Sequence, residues 1–269
     1  MTPNDLIPPQ NTTFKKTTLY VKKIIARLEE VKQIYSTFDQ ELENLVEEMT
    51  IRPCFERKIE RHLHDIKSEI AAPIKLSIDW MIRNPDRLKI EGLFRIQGGA
   101  GQINRLKAQF DDGQYFINDH EDVHTVTTFL KQYLRCLPTA LIGENETARF
   151  SQAVFTHKTS DGTVLRDQLL QAMWKIVKSD WGTRGNKVKP NLKRVLQFLS
   201  KVSANGDDNK MTSTNLAIVF TPTLFQIEPC MTGPDQNLQQ AMEYLIDYWD
   251  YRVVFFKFRN FEVKNCHLR

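Results

Sequence analysis

Residues 91–102 read EGLFRIQGGAGQ, in which Arg95 stands between the apolar residues Phe94 and Ile96, just before three glycines. Apolar flanks indicate that the segment is anchored to a core, and clustered glycines are typical of a tight, exposed loop. A guanidinium on an anchored loop is either incidental surface charge or a functional group. The stretches that follow along the chain have to separate these two interpretations.

The glycines do not form a phosphate-binding loop. The pattern GxxxxGK[ST] would need a glycine five residues after Gly92, where the chain has Gln97, and GxGxxG fails at Asn104. Neither pattern would follow a predicted strand, which both require. The glycine cluster therefore does not predict a nucleotide site on this chain.

Residues 122–142, DVHTVTTFLKQYLRCLPTALI, predict a helix that Asp122 caps and Pro138 closes. Lys131 and Arg135 lie four residues apart, so they share one face of this helix. The helix is otherwise mostly apolar. Its two cations either find acceptors in the fold or lie along a solvated edge.

The residues from His120 to His124 read HEDVH and match the zinc-protease pattern HExxH. That site needs both histidines on one face of a continuous helix, with a third ligand downstream. Capping residues up to Asp122 predict a helix boundary inside the motif, although Glu144 could supply a third ligand. Zinc hydrolysis is therefore only a minor alternative.

From Val21 to Met49 the apolar residues alternate in steps of three and four over about four heptads. This pattern predicts a long amphipathic helix that has to pack on another helix. Its partner is either the segment 55–70 of the same chain or a second copy. The charges run from basic to acidic along the helix, which favours an antiparallel neighbour.

The remaining periodic segments predict an all-α fold, an irregular bundle with a helical N-terminal extension. Helices are predicted from Pro73 to Met81, from Ile103 to Phe110, near 146–156, 163–179 and 191–203, at NLAIVF with Pro222 as its stop, and at 236–258. Residues 179–190 predict a long loop. No hairpin turn lies between alternating segments, so strands are not expected.

Composition excludes several classes of protein. A net charge of +4 and a pI near 8.8 fall short of a nucleic-acid-binding signature. The four cysteines are scattered without a CxxC pair, which favours reduced thiols and a cytoplasmic location. No apolar run is long enough to span a membrane, and residues 1–16 predict a disordered lead-in rather than a signal peptide.

Three stretches taken together resemble a known family. GLFRIQGG, DVHTVTTFLKQYLRCLPTALI and NKMTSTNLAIVFTPTLF, in this order and spacing, resemble the GTPase-activating domain of the RhoGAP family over about residues 70–260. PNLKRVLQFLSKV, before the third stretch, extends the resemblance. The predicted organisation is a lead-in at 1–16, a helical extension at 17–54, a RhoGAP domain at 55–262 and a tail at 263–269.

The resemblance implies that Arg95 is an arginine finger, which enters the nucleotide site of a partner GTPase. GTP hydrolysis passes through a transition state with negative charge spread over the phosphoryl oxygens, and a guanidinium supplied in trans stabilises that charge. Lysine lacks the planar fork and would be a poor substitute. Arg95 would thus be a functional group rather than surface charge.

The resemblance also implies roles for the residues around the finger. Arg135 would brace the finger loop through its backbone carbonyls, and Lys131 would lie at the GTPase contact. Asn215 would lie beside the same surface, and Gly98 would belong to the finger loop. Many relatives read G-P-N where this chain ends in Thr223, so Thr223 is a candidate contact.

The function implied is activation of GTP hydrolysis by a Rho-family GTPase, in which the chain is an activator rather than an enzyme. It needs no cofactor of its own, because the partner GTPase holds GTP and Mg²⁺. It would reach membrane-bound GTPases by recruitment from the cytoplasm. The alternative is a catalytically weak module that binds GTPases, with an N-terminal helix that dimerises.

Overall fold

The structure is a computed structural model that describes residues 21, 23–39, 55, 59, 68–159, 161–225, 227 and 235–249. The chain divides into two units, Met1–Arg52 and Pro53–Arg269, and each is described by itself. Within the described residues, no helix has the length and apolar character needed to cross a bilayer.

In the N-terminal unit, residue 21 and residues 23–39 are helical. The apolar side chains of the heptad pattern in this helix are exposed: Val21, Ile24, Leu28, Val31, Tyr35 and Phe38. The second half of the pattern, residues 40–49, lies outside the described residues. The pairing of this stripe with a second copy or with residues 55–70 stays a prediction.

The second unit is a bundle of helices, which confirms the all-α fold. Its helices are α1 Ala72–Arg83, α2 Ala100–Asp111, α3 Val123–Arg135, α4 Glu144–Thr156, α5 Arg166–Lys178, α6 Gly182–Ser203, α7 Gly206–Asn209, α8 Ser213–Leu224 and α9 Gln236–Tyr248. A short 3-10 helix, Pro85–Lys89, follows α1. Extended pairing in the described part of the chain is limited to two isolated bridges, Ile142 with Phe225 and Lys158 with Val164.

Capping side chains begin several of these helices where the sequence places them. The Asp122 carboxylate accepts from the backbone N–H of Thr125 at 2.7 Å and begins α3. Asp235 accepts from the N–H of Asn237 at 2.8 Å and begins α9. Pro73 occupies the first turn of α1, where its missing N–H leaves no helical bond unmade.

Two predictions about helix boundaries were wrong. Residues 179–190 are mostly helix rather than loop, because α6 begins at Gly182 and continues through Pro190. Buried residues on both sides of this proline, Val188 and Leu192, hold the helix to the core. Packing of that face outweighs one missing hydrogen bond.

The second proline, Pro222, does not stop α8, which continues to Leu224. The carbonyl that loses its helical donor at this point belongs to Ile218, which is exposed, so water can bond to it. Leu224 and Phe225 beyond the proline are buried in the core. The helix therefore continues beyond Pro222, because one face of it is buried in the core and the other is exposed to solvent.

Candidate functional site

The loop between the 3-10 helix and α2, residues 91–99, carries Arg95 and is called the finger loop below. Leu93 and Phe94 within it are 0% exposed. The side chain of Arg95, the next residue, is 58% exposed. The loop is therefore anchored by two apolar residues and presents a guanidinium to solvent, as its sequence predicts.

Phe94 is the anchor of the finger loop. Its ring lies edge-on at 4.9 Å from the ring of Phe220 in α8 and at 6.0 Å from the ring of Phe198 in α6. Its φ of 65° is in the left-handed region, which a bulky residue rarely adopts and which strains the backbone by about 1–3 kcal/mol. Burial of the ring offsets this strain, and the turn directs the next side chain away from the core.

The turn is closed by its own backbone. Gly92 has a φ of 74°, and its carbonyl accepts from the N–H groups of Arg95 at 3.0 Å and Ile96 at 2.8 Å. Glu91 lies 3.8 Å from the Arg95 guanidinium across this turn, and both side chains are exposed. An exposed ion pair at this distance is weak, so Arg95 remains available to a partner.

Lys131 of α3 reaches the finger loop directly. Its ammonium donates to the carbonyl oxygen of Phe94 at 2.6 Å. Burial lowers the pKa of Lys131 below its ordinary value, and the positive charge of Arg135 lowers it further. A half-buried cation thus bonds to the carbonyl of the strained residue next to Arg95.

The resemblance implies that Arg135 braces the finger loop, but among the described residues it is Lys131 that bonds to a carbonyl of this loop. The Phe94 carbonyl is bonded by Lys131, while Arg135, one turn further along α3, is exposed. Lys131 lies level with the finger loop, and its unbranched stem can follow the apolar wall of α3. Lys131 therefore joins the loop support in this structure, and its predicted contact with the GTPase stays a prediction.

The resemblance implies a GTPase-activating rate that depends on the position of Arg95, and we expect Lys131→Met to lower that rate by about 10–100-fold. Methionine keeps the apolar stem but removes the charged donor to Phe94, and such a hydrogen bond is worth about 1.5–3 kcal/mol. Single-turnover hydrolysis measures the effect. If the rate is unchanged although Lys131→Met binds the GTPase normally, the hydrogen bond to Phe94 does not position the finger.

Gly98 lets the finger loop lie directly on the first turn of α3. Its N–H donates to the Thr128 hydroxyl at 3.1 Å. A Cβ atom at this position would lie 2.4 Å from both the Cα and the N of Thr125, which is far inside contact distance. Since backbone atoms cannot swing aside as a side chain does, only glycine fits here.

Asn209, at the end of α7, joins the segments around the loop, a role that its position in a polar run does not predict. It is fully buried, and its amide donates to the carbonyls of Leu88 at 2.7 Å and Val202 at 2.8 Å. Its side-chain oxygen accepts from the N–H of Met211, and its backbone carbonyl accepts from the N–H of Gly92. The base of the finger loop is thereby tied to α6 and to the segment before α8.

We expect Asn209→Ala to lower the free energy of unfolding by at least about 1–3 kcal/mol, because it leaves buried polar groups without partners. Urea unfolding followed by circular dichroism measures the loss. Asn205→Ala is the matched control, since among the described residues the exposed Asn205 amide bonds to the carbonyl of Lys201 alone. Equal losses in the two variants would contradict a special role for Asn209.

The other two predicted site residues lie on α8. The Asn215 amide is exposed in the first turn and donates to the carbonyl of Lys210 at 2.9 Å, so it lies beside the segment that holds the finger loop. Thr223 is 3% exposed, and its hydroxyl donates to the carbonyl of Val219 at 3.1 Å. In this structure Asn215 faces solvent and Thr223 does not, so only Asn215 presents a polar group to a partner.

The histidine motif does not form a metal site in this structure. α3 begins at Val123 with Asp122 as its cap, so a helix boundary does fall between His120 and His124. The glutamate of the motif, Glu121, is buried and accepts two hydrogen bonds from Arg105, at 2.8 and 2.6 Å. Across the described residues, no three His, Cys, Asp or Glu side chains are grouped to hold a metal ion.

The family model for the RhoGAP domain matches residues 74–229, more than half of the chain and the whole finger loop. The chain belongs to the RhoGAP family. This range contains all three of the stretches that carry the resemblance, and it lies inside the second unit of the structure.

Similar RhoGAP proteins are much longer than this chain. Rho GTPase-activating protein 17 of Homo sapiens is 32% identical over 178 residues, which cover 64% of this chain and 18% of that protein. Rho GTPase-activating protein 44 of Mus musculus is 30% identical over 207 residues, which cover 74% and 24% respectively. The match to each relative thus spans about a fifth to a quarter of its length.

A solved RhoGAP structure has the same fold. The crystal structure of human Rho GTPase activating protein 15 superposes with a TM-score of 0.61 at 21% identity. The match covers 72% of this chain and 88% of that one. The helical bundle of the second unit is therefore the RhoGAP fold.

Proposed function

We propose that this RhoGAP domain accelerates GTP hydrolysis by a Rho-family small GTPase, and that Arg95 supplies the catalytic guanidinium. The chain would act as an activator of its partner's active site. The partner would hold GTP and Mg²⁺, so the domain needs no cofactor of its own.

The observation that carries this proposal is the contrast between Arg95 and its neighbours. Its side chain is 58% exposed, while Leu93 and Phe94 immediately before it are fully buried. A group that stabilises a transition state works best when its position is fixed before the reaction, because no reorganisation is then needed. Lys131 and Gly98 add two contacts that fix the loop.

Charge in the surrounding surface supports the same function. Lys131 bonds to the finger loop, and the exposed Lys210 follows Asn209, whose carbonyl bonds to Gly92 of that loop. Phosphoryl transfer concentrates negative charge on the partner's nucleotide, which such cations would attract. Ile96 next to Arg95 and Ile218 on the same face of α8 as Asn215 are exposed apolar residues. Exposed apolar groups beside a polar functional group are typical of a protein interface.

The proposal is tested by single-turnover GTP hydrolysis with the purified full chain and a panel of Rho-family GTPases. A small GTPase from another family serves as the control. We expect acceleration by about 10³–10⁵-fold for at least one Rho-family member and none for the control. Binding without acceleration would instead support a module that only binds GTPases.

A further inference from the structure

The apolar face of the N-terminal helix, which comprises residue 21 and residues 23–39, is exposed. Among the described residues, eight of the fourteen exposed large apolar side chains lie on this one helix. They are Val21, Ile24, Ile25, Leu28, Val31, Ile34, Tyr35 and Phe38, and their exposed fractions run from 43% to 67%. An apolar face of this extent typically marks a surface that binds another molecule.

Six of these side chains repeat with the spacing of a coiled coil, and together they are called the seam below: Val21, Ile24, Leu28, Val31, Tyr35 and Phe38. Beyond the described part of the helix, the sequence continues the same steps through Leu42, Leu45 and Met49. Heptads sustained over this length are typical of a helix that packs along a second helix. The partner of the seam is therefore expected to be helical.

The segment 55–70 of the same chain is a poor partner for the seam, because its apolar residues are used elsewhere. Phe55 and Ile59 are each 2% exposed and belong to the core of the second unit. The Phe55 ring lies edge-on to the rings of Phe129 and Tyr133 in α3, at 5.1 and 5.6 Å. Side chains that are buried against α3 cannot cover the seam at the same time.

Charge along the segment disfavours a membrane and favours a second copy of this chain. Residues 21–49 carry four cations and seven anions, a net charge of −3, whereas helices that bind anionic bilayers are basic. The first third of this range is basic and the last third is acidic, with Lys22, Lys23 and Arg27 against Glu41, Glu43, Glu47 and Glu48. An antiparallel copy would place the basic third of each helix beside the acidic third of the other.

We propose that the seam binds the seam of a second copy of this chain, and that the two helices form an antiparallel coiled coil. Its two-fold axis would lie between Tyr35 and Phe38, so that each Tyr35 packs on the partner's Phe38. These rings are 66% and 59% exposed on a single chain, and aromatic pairs at the axis would remove both from water. The seam lies outside the RhoGAP match at residues 74–229, so the proposal does not depend on GTPase activation.

The charges that flank the seam fit this alignment. Lys32 directly follows Val31 and Asp39 directly follows Phe38, so the two occupy the same flanking position one heptad apart, and both are exposed. In an antiparallel coiled coil the same flanks of the two helices face each other, so Lys32 would face the partner's Asp39 on both sides of the axis. In a parallel pair Lys32 would instead face the partner's Arg27, which repels it.

The test is sedimentation equilibrium of the full chain at micromolar concentrations. Lys32→Glu and Asp39→Lys each bring like charges together on both sides of the axis, whereas the double variant Lys32→Glu/Asp39→Lys exchanges the two charges and restores the attraction. The matched control is Lys23→Glu, which makes the same change of charge at an outer heptad position of the same helix. Circular dichroism confirms that each variant keeps its helix content.

We expect wild type to form a dimer, and each single variant to dissociate at least about 10-fold more readily than Lys23→Glu. The double variant should return to within about threefold of the wild-type dissociation constant. The proposal is overturned by a monomeric wild type, including a monomer that binds phosphatidylserine vesicles, or by equal dimerisation of Lys32→Glu and Lys23→Glu. A double variant that does not recover, or tighter dimerisation of Lys32→Glu as in a parallel pair, overturns it too.

Discussion

Arg95→Ala is expected to reduce the GTPase-activating rate of the domain by about 10³-fold or more, while its affinity for the GTP-bound partner changes little. As a finger, the guanidinium would act on charge that develops in the transition state, and such fingers are worth about 10³–10⁵ in rate. This range corresponds to roughly 4–7 kcal/mol at about 1.36 kcal/mol per factor of ten. Single-turnover hydrolysis at saturating domain concentration measures the loss.

Two further variants make the Arg95 result specific. Arg95→Lys keeps the charge but lacks the planar fork, so we expect it to recover only a small part of the rate. Arg83→Ala removes a comparably exposed arginine that pairs with Asp119 away from the finger loop, and should keep the rate within about threefold of wild type. Equal losses in Arg95→Ala and Arg83→Ala would point to nonspecific charge rather than to a finger.

Gly98→Ala is expected to produce the second large loss, about 10²-fold in rate. The added Cβ would lie 2.4 Å from backbone atoms of Thr125, so the finger loop has to move away from α3. A displacement of about 1 Å at a catalytic group can cost about 10²-fold. Since the substitution changes no charge and no side chain that could touch the GTPase, the loss would report position alone.

Gly101→Ala is the matched control for Gly98→Ala. A Cβ at position 101 meets nothing within 4 Å, and this glycine lies inside α2, where alanine is the better helix former. We expect Gly101→Ala to keep full activity and to gain a little thermal stability. If Gly98→Ala also keeps full activity in a folded protein, close contact between the loop and α3 is not what positions Arg95.

The sequence alone predicted the structure correctly where interactions between neighbouring residues determine it. Asp122 caps α3, Pro73 opens α1, and the apolar residues Leu93 and Phe94 anchor the finger loop. Each of these depends on residues that are neighbours in the chain, so motif and spacing predict it. The exposure of Arg95 follows from the same local pattern.

Other features depend on contacts between distant segments, and the sequence could not show them. Asn209 is polar and lies in a polar run, yet it is fully buried because backbone groups of Leu88, Val202 and Met211 bond to its side chain. Lys131 rather than Arg135 reaches Phe94 because of how α3 lies under the loop. Residues 179–190 were interpreted as a loop and Pro222 as a helix stop, whereas buried neighbours of Pro190 and Pro222 hold both helices together.

In the proposed function, Arg95 stabilises the transition state more than the ground state. This difference can be measured as the affinity of wild type and Arg95→Ala for the GTPase in two forms, one loaded with a nonhydrolysable GTP analogue and one with GDP and aluminium fluoride. A transition-state mimic should reveal a contact made only during reaction. We predict that Arg95→Ala binds the aluminium fluoride form at least about 100-fold more weakly than wild type does. Its affinity for the form with the GTP analogue should fall by less than about threefold. Equal losses in both forms would contradict the account, because Arg95 would then be a binding residue and not a finger.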